Sequence, residues 1–411
     1  MTIPAERTLA AVHGTVDPRF VAVVDEMAAA VARGEEKGAA VAIFLDGEPV
    51  VDAWCGTRAD GSPWTEDTLT VIFSATKGAV ALMAQLLWER GELDLDSPVT
   101  RYWPEYGAAG KKNALVRHLL DHTNGSLTFP RYWEVMKQDS LALADWDLVT
   151  SRLAAARPCW KPGTRAGYHA VTYGHLVGEV IRRITGMSPG AFFAEEIAGP
   201  LGLDISIGYH GPDARVESAL PPPPPSDPAV LRQVLGNLDL SQNALRSTGD
   251  VYNPAAWLVH APIFLHPDRR DVGAYIAGLF SHPTIRAAEV PGSNGIGDAR
   301  SLARMYAPLS CGGATASARL VGEESIRMFS TLQPRSSQDF HMALGYAVLR
   351  DDVRPAHLPG TAFGHPGAGG ILGFADPHYR MSFGYVHNQM LDETLTHRIA
   401  RTVYSCLEGR A

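Results

Sequence analysis

FSATKG, residues 73–78, sets Ser74 three positions ahead of Lys77, immediately before the apolar run AVALMAQLLWERG. If a helix begins at Ser74, the two side chains lie one above the other on a single face. The positive end of that helix favours negative charge on Ser74 Oγ and depresses the ammonium pKa of Lys77. A neutral lysine can take the proton of a serine, and the N–H of Ser74 can help to bind an oxyanion. Serine is also a preferred helix cap, so the hexapeptide alone reads equally well as a plain helix start. Further stretches of the chain have to separate the two readings.

Two other segments carry candidate chemistry. In CWKPGTRAGYHAVTYGH (159–175), Tyr168 stands just ahead of a helix-like pattern. Beside a lysine, a tyrosine can relay a proton between nucleophile and leaving group; otherwise it is a core aromatic. In FGHPGAGGILGFADP (363–377), four glycines occupy seven positions of a strand-like pattern. Such a run weakens a strand unless a group must approach its backbone closely, and a substrate carbonyl would be such a group. A bulged edge strand is the alternative.

The rest of the chain frames these segments. With 411 residues, 45% of them hydrophobic and 19% charged, it can bury a large globular core. The net charge of -8 and the lack of any Lys/Arg-rich run argue against nucleic acid or an anionic membrane surface as partner. No segment has the roughly 20 apolar residues of a membrane span. MTIPAERTLAAVHGTVDPRF lacks a basic start and an apolar stretch, so no secretory signal is read and the cytoplasm is the expected location. Cys55, Cys159, Cys311 and Cys406 lie far apart, as reduced cysteines rather than a disulfide framework. Nothing in the sequence carries a signal for an oligomeric state.

Periodicity supplies the elements. Phe20, Val23, Val24, Met27 and Val31 have helical spacing. GAAVAIFLDGEPVVDAWCG (38–56) reads as a hairpin turning at Asp46-Gly47. Helical patterns alternate with Pro- and Gly-rich loops from about 115 to 300, and LPPPPPSDP (220–228) is expected as a stiff extended loop. ARSLARMYAPLSCGG reads as a helix closed by glycines. HMALGYAVL, AFGHPGAGGILGFADP and MSFGYVHNQ follow as three strand candidates, and LDETLTHRIARTVYSCLEG as a last helix. Strands at both chain ends predict an α+β fold. One sheet is assembled from residues 1–115 and 300–411, and a helical domain over 116–299 is inserted between them.

Taken together, Ser74-Ala75-Thr76-Lys77, Tyr168-His169-Ala170 and His365-Pro366-Gly367 resemble the three ordered motifs of the serine β-lactamase and penicillin-binding-protein superfamily. The flanks agree: TLTVIFSATKGAVALMAQLLWERGELDLDSPVTRYWPEY, VRHLLDHTNG, WKPGTRAGYHAVTYGHLVGEVIRRITG and NGIGDARSLARMYAPLSCGG. The chain is most similar to the class C β-lactamase-like, family VIII carboxylesterases, from about residue 20 to 405. The resemblance implies a β-lactamase-like fold and acyl transfer through Ser74, with Lys77 and Tyr168 as proton-transfer pair. It places the oxyanion between the backbone N–H groups of Ser74 and Ala368, and it needs no cofactor or metal. His365, Gly367, His169 and Trp257 become candidate substrate contacts.

Departures from the pattern bear on the substrate. In the β-lactamases the second motif ends in an asparagine that holds the drug, and here that position is Ala170. The third motif there offers a lysine and a threonine hydroxyl; here it offers His365 and Pro366. This replacement favours a small or short-chain ester as substrate, with weak β-lactam hydrolysis as a side activity. β-Lactamase, D-amino-acid amidase or peptidase, acyltransferase and a non-catalytic binding relative are the alternatives. An α/β-hydrolase would need Gly-x-Ser-x-Gly, which the chain lacks. A metal reading of His118 and His122 has neither the glutamate of a zincin nor a third ligand.

Overall fold

The computed structural model describes residues 10–127, 129, 140–220, 272–316, 318–335, 341–349, 358, 361–390 and 394–409. The proline run from residue 221 onward and Trp257 lie outside them.

Strand β1 (Val12–Val16) leads into helix α1 (Val21–Arg33). Val23, Val24, Met27 and Ala30 line its buried face, and Gly34 ends it in the left-handed conformation that glycine adopts without strain. The predicted hairpin follows as β2 (Gly38–Leu45) and β3 (Glu48–Gly56). Asp46 and Gly47 both take positive φ, 51° and 84°, the turn geometry that matches the twist of two paired strands. After the short β4 (Thr70–Val71) comes the buried helix α2 (Thr76–Glu89). Helix α3 (Thr172–Thr185) lies in the middle stretch. Strand β5 (Ile296–Gly297) precedes α4 (Ala299–Ser310), which the Asp298 carboxylate caps by accepting the Ser301 N–H. The C-terminal part holds β6 (Ala347–Val348), β7 (Phe363–Pro366), β8 (Leu372–Asp376), β9 (Met381–His387) and α5 (Thr394–Leu407).

Seven strands form one antiparallel sheet in the order β1-β3-β2-β9-β8-β7-β6. Its central seam joins β2 to β9, so the sheet is assembled from both ends of the chain, as expected. On one face Ile43, Phe374 and Phe383 of the sheet share a core with Val23 and Met27 of α1 and Ile399 and Tyr404 of α5. Against the other lies α4, approaching so closely that a Cβ on Gly384 would come 2.2 Å from Ala299 O.

Two strand expectations change, and one strand lies where none is expected. A first strand, Val12–Val16, had no clear signal, since its burial pattern is largely exposed and shows no alternation. HMALGYAVL contributes only Ala347 and Val348 to the sheet. AFGHPGAGGILGFADP, read as one strand candidate, is a hairpin in which residues 367–371 reverse the chain between β7 and β8. Its glycines serve the turn: Gly369 and Gly370 have φ of 85° and 106°.

Candidate active site

β4 pairs with β5, and the Ile72 N–H continues the ladder to Gly295 O at 2.8 Å. The chain must then break out of the strand into α2, and it does so at Phe73, whose φ is +45°. That conformation is costly for a bulky residue. Burial of its ring, edge-on to Phe280 at 5.6 Å, helps to hold it there. Phe73–Ala75 form a tight 3-10 turn, and α2 proper begins at Thr76 rather than at Ser74. Thr76 Oγ1 donates to Phe73 O and accepts the Gly295 N–H at 2.9 Å. The serine thus stands on a short turn anchored on both sides to residues 295–297.

Lys77 is fully buried in the first turn of α2. Its Nζ lies 3.1 Å from Ser74 Oγ and 2.6 Å from each of two carbonyl oxygens, Ala170 and Gly292. None of these partners is a carboxylate. Burial without a counter-charge holds its pKa well below that of a free lysine. A neutral amine has two N–H donors and one lone pair. With both donors spent on the two carbonyls, the lone pair is left for the Ser74 hydroxyl to donate into. Such an arrangement can deprotonate the serine during attack on a carbonyl carbon.

Tyr168 is half-buried in the irregular stretch before α3. Lys77 Nζ lies 4.9 Å from its ring centroid, and the ring stacks on that of His365 at 6.0 Å. The structure therefore gathers Ser74 and Lys77, Tyr168, and His365 from three separate segments. His365 sits buried in β7, its Nδ1 2.7 Å from Pro366 O, a contact that requires the proton on Nδ1. Desolvation, and next the charge of Lys77, push its pKa down to about 3, so the ring is neutral near pH 7.

Beyond His365 the hairpin turn comes up against the serine turn. A Cβ on Gly367 would lie 2.5 Å from Ile72 O, so the close approach that glycine permits here is to the backbone of the turn that carries Ser74. The Gly367 N–H is taken by Ile371 O at 2.7 Å. Among the described residues, neither the Ser74 N–H nor the Ala368 N–H donates to a backbone carbonyl. The His169 ring is fully buried, its Nδ1 3.4 Å from His122 Nδ1.

Sequence reasoning did not find Gly292 or the strained Phe73, and it weighed His122 only as a possible metal ligand. The PGSNG turn that carries Gly292 signals a turn and nothing about a lysine 215 positions away. His118 and His122, considered together as i and i+4, part company in the structure. His118 lies in the helix Val116–Leu120 and accepts the Leu115 N–H, whereas His122 lies beyond its end at φ +62°. Among the described residues no group of His, Cys, Asp or Glu could hold a metal ion, and no helix is long and apolar enough to cross a membrane.

Comparison with known proteins bears directly on this arrangement. The Beta-lactamase family profile matches residues 23–403. The chain is 33% identical over 396 residues to "Esterase/beta-lactamase LipL" of Mycobacterium tuberculosis, covering 92% of this chain and 83% of that protein. Among solved structures it is similar to a family VIII carboxylesterase, with a TM-score of 0.79 and 33% identity over 96% of this chain and all of that one. A penicillin-binding-protein homologue from Caulobacter crescentus aligns with a TM-score of 0.77 and 29% identity, over 96% of this chain and 100% of that one.

Proposed function

We propose that this chain, a serine hydrolase that belongs to the beta-lactamase family, is a carboxylesterase acting on small or short-chain esters through an acyl-enzyme on Ser74. The observation that carries the reading is the setting of Lys77, whose amine is buried among two carbonyls and the Ser74 hydroxyl without a carboxylate. Ser74 Oγ attacks the ester carbonyl while its proton passes to Lys77 Nζ. The carbonyl oxygen, now negative, is received by the free N–H groups of Ser74 and Ala368. Lys77 and Tyr168 return the proton to the departing alkoxide, which leaves as the alcohol. Water then attacks the acyl carbon as it gives one proton to the pair, and the acyl–Oγ bond breaks as Ser74 Oγ takes that proton back and the carboxylic acid leaves. No cofactor or metal takes part in this scheme.

The choice of substrate rests on the residue types at the second and third motifs. Ala170 and Pro366 offer no amide or hydroxyl to an acyl side chain, and the buried, neutral His365 offers no cation to a carboxylate. An uncharged ester suits such a site better than an anionic β-lactam. In this reading residues 116–299 act as a helical domain that brings Tyr168 and the Gly292 carbonyl to a sheet domain carrying Ser74. The partner is a small molecule, neither nucleic acid nor membrane, and the setting is cytoplasmic.

The test is turnover of p-nitrophenyl acetate and butyrate by the wild type and by Ser74→Ala, with nitrocefin and a D-alanyl p-nitroanilide alongside. Ester hydrolysis that the substitution abolishes supports the proposal. Faster turnover of nitrocefin or the anilide would transfer it to a β-lactamase or an amidase. No turnover, or full turnover in Ser74→Ala, would overturn it.

A further inference from the structure

We propose that His122 is the positioning residue for Tyr168, gripping the chain on both sides of it and thereby setting where the phenol stands. The inference rests on the serine-hydrolase reading given above, in which Tyr168 moves the proton.

Tyr168 needs such a grip. It lies in a stretch without helix or strand, four residues before α3 begins, so no regular hydrogen-bond ladder fixes its backbone. A side chain that relays a proton tolerates little displacement, since an error of about 1 Å can cost some 10²-fold in rate. Two bonds from one residue meet the need. The Gly167 N–H donates to His122 O at 3.1 Å, and the His169 N–H donates to His122 Nδ1 at 3.1 Å. One residue therefore holds both neighbours of Tyr168, with its carbonyl on one side and its ring on the other. The same ring lies against the Tyr168 ring, 5.1 Å between centroids.

His122 is itself held in place. It is 1% exposed, and its φ of +62° turns its carbonyl and ring to opposite flanks of the tyrosine. The residues that follow continue as a template for the loop. Thr123 O accepts from Gly163 N–H at 2.9 Å and Trp160 Nε1 at 3.0 Å. Gly125 O accepts the Cys159 N–H at 2.8 Å, and Ser126 O accepts from Thr172 Oγ1 at 3.0 Å. Residues 122–126 thus carry the chain from 159 to 172, and His122 is the member of the set that reaches Tyr168. Accepting at Nδ1 requires that nitrogen to be unprotonated, and deep burial beside Lys77, His169 and His365 keeps the ring neutral.

Three substitutions separate positioning from mere packing. In His122→Asn the amide oxygen falls where Nδ1 stood, and asparagine tolerates positive φ. In His122→Gln the acceptor is carried one atom further, toward the place of Nε2. His122→Leu fills the space and accepts nothing. With p-nitrophenyl butyrate, His122→Leu and His122→Gln are expected to lose about 10²-fold in kcat with KM little changed, while His122→Asn stays within about threefold of wild type. In a Tyr168→Phe background, His122→Leu is expected to cost less than about twofold, because the group it positions is gone. Equal loss in both backgrounds, wild-type kcat in His122→Leu, or equal activity of the Asn and Gln variants would overturn the proposal. Full activity of Tyr168→Phe on its own would instead refute the proton-relay reading on which it rests.

Discussion

Replacing Lys77 by methionine separates two consequences of one buried amine. The side chain is fully buried and has no carboxylate partner, so the fold accepts it most readily without its proton. The unfolded chain titrates this amine near the ordinary lysine value of 10.5. Between the depressed native pKa and 10.5, the unfolded state therefore holds one proton more than the native state. Stability then rises with pH across that window, by about 1.4 kcal/mol per unit, and levels off above 10.5. Lys77→Met removes this term and keeps the shape, but it leaves the Ala170 and Gly292 carbonyls without their donor, at about 1–3 kcal/mol each. The two effects oppose each other, so the informative quantity is the difference in slope. Denaturant unfolding followed from pH 7 to 9.5 should show the wild type gaining on Lys77→Met by about 1.4 kcal/mol per pH unit. Lys111, pushed down to about 8 by its own burial, contributes equally to both proteins. Ester hydrolysis in the variant should fall by about 10²-fold or more. Parallel stability curves would refute the reasoning, because they would mean that the native state keeps Lys77 charged.

Other perturbations follow from the same structure. Burial raises the Asp121 pKa to about 6, while its carboxylate accepts the Thr123 N–H and hydroxyl. The native state therefore binds the proton more tightly than the unfolded state, and Asp121 costs stability increasingly as pH rises from about 4 to 6. Asp121→Asn keeps an acceptor and should stabilise the protein by up to about 3 kcal/mol at pH 8, with the gain vanishing near pH 4 in urea melts. Gly78→Ala should destabilise by about 1–3 kcal/mol despite alanine's better helix propensity, because its Cβ would come 2.0 Å from the buried Tyr306 hydroxyl. Adding Tyr306→Phe should recover part of the loss, and a neutral or stabilised Gly78→Ala would show that Tyr306 moves freely.

Legibility of the site followed the range of the interaction involved. Ser74 and Lys77 lie one turn apart, and local spacing suffices to show that they meet. Local spacing does not show that Ser74 belongs to the 3-10 segment ahead of α2 or that the strain falls on Phe73. Positive φ in a bulky residue leaves no mark in a sequence. The β2–β3 hairpin and the ends of α1 were legible because Asp46-Gly47 and Gly34 are local backbone choices with few alternatives. The hairpin at 363–376 is not legible as two strands, because a glycine run is compatible with a bulge, a turn or a close approach.

The sequence by itself determined the order of the three motifs, the assembly of the sheet from both chain ends, and the absence of the residues that would hold a charged drug. These are matters of residue type, period and chain order. Only the tertiary structure decided the surroundings of the lysine. The Ala170 and Gly292 carbonyls reach Lys77 from 93 and 215 positions away and occupy both of its donors. His122 reaches Tyr168 across 47 positions of chain to its neighbour His169. A pKa depends on which atoms surround a group and on how much water they exclude, and neither is written along the chain.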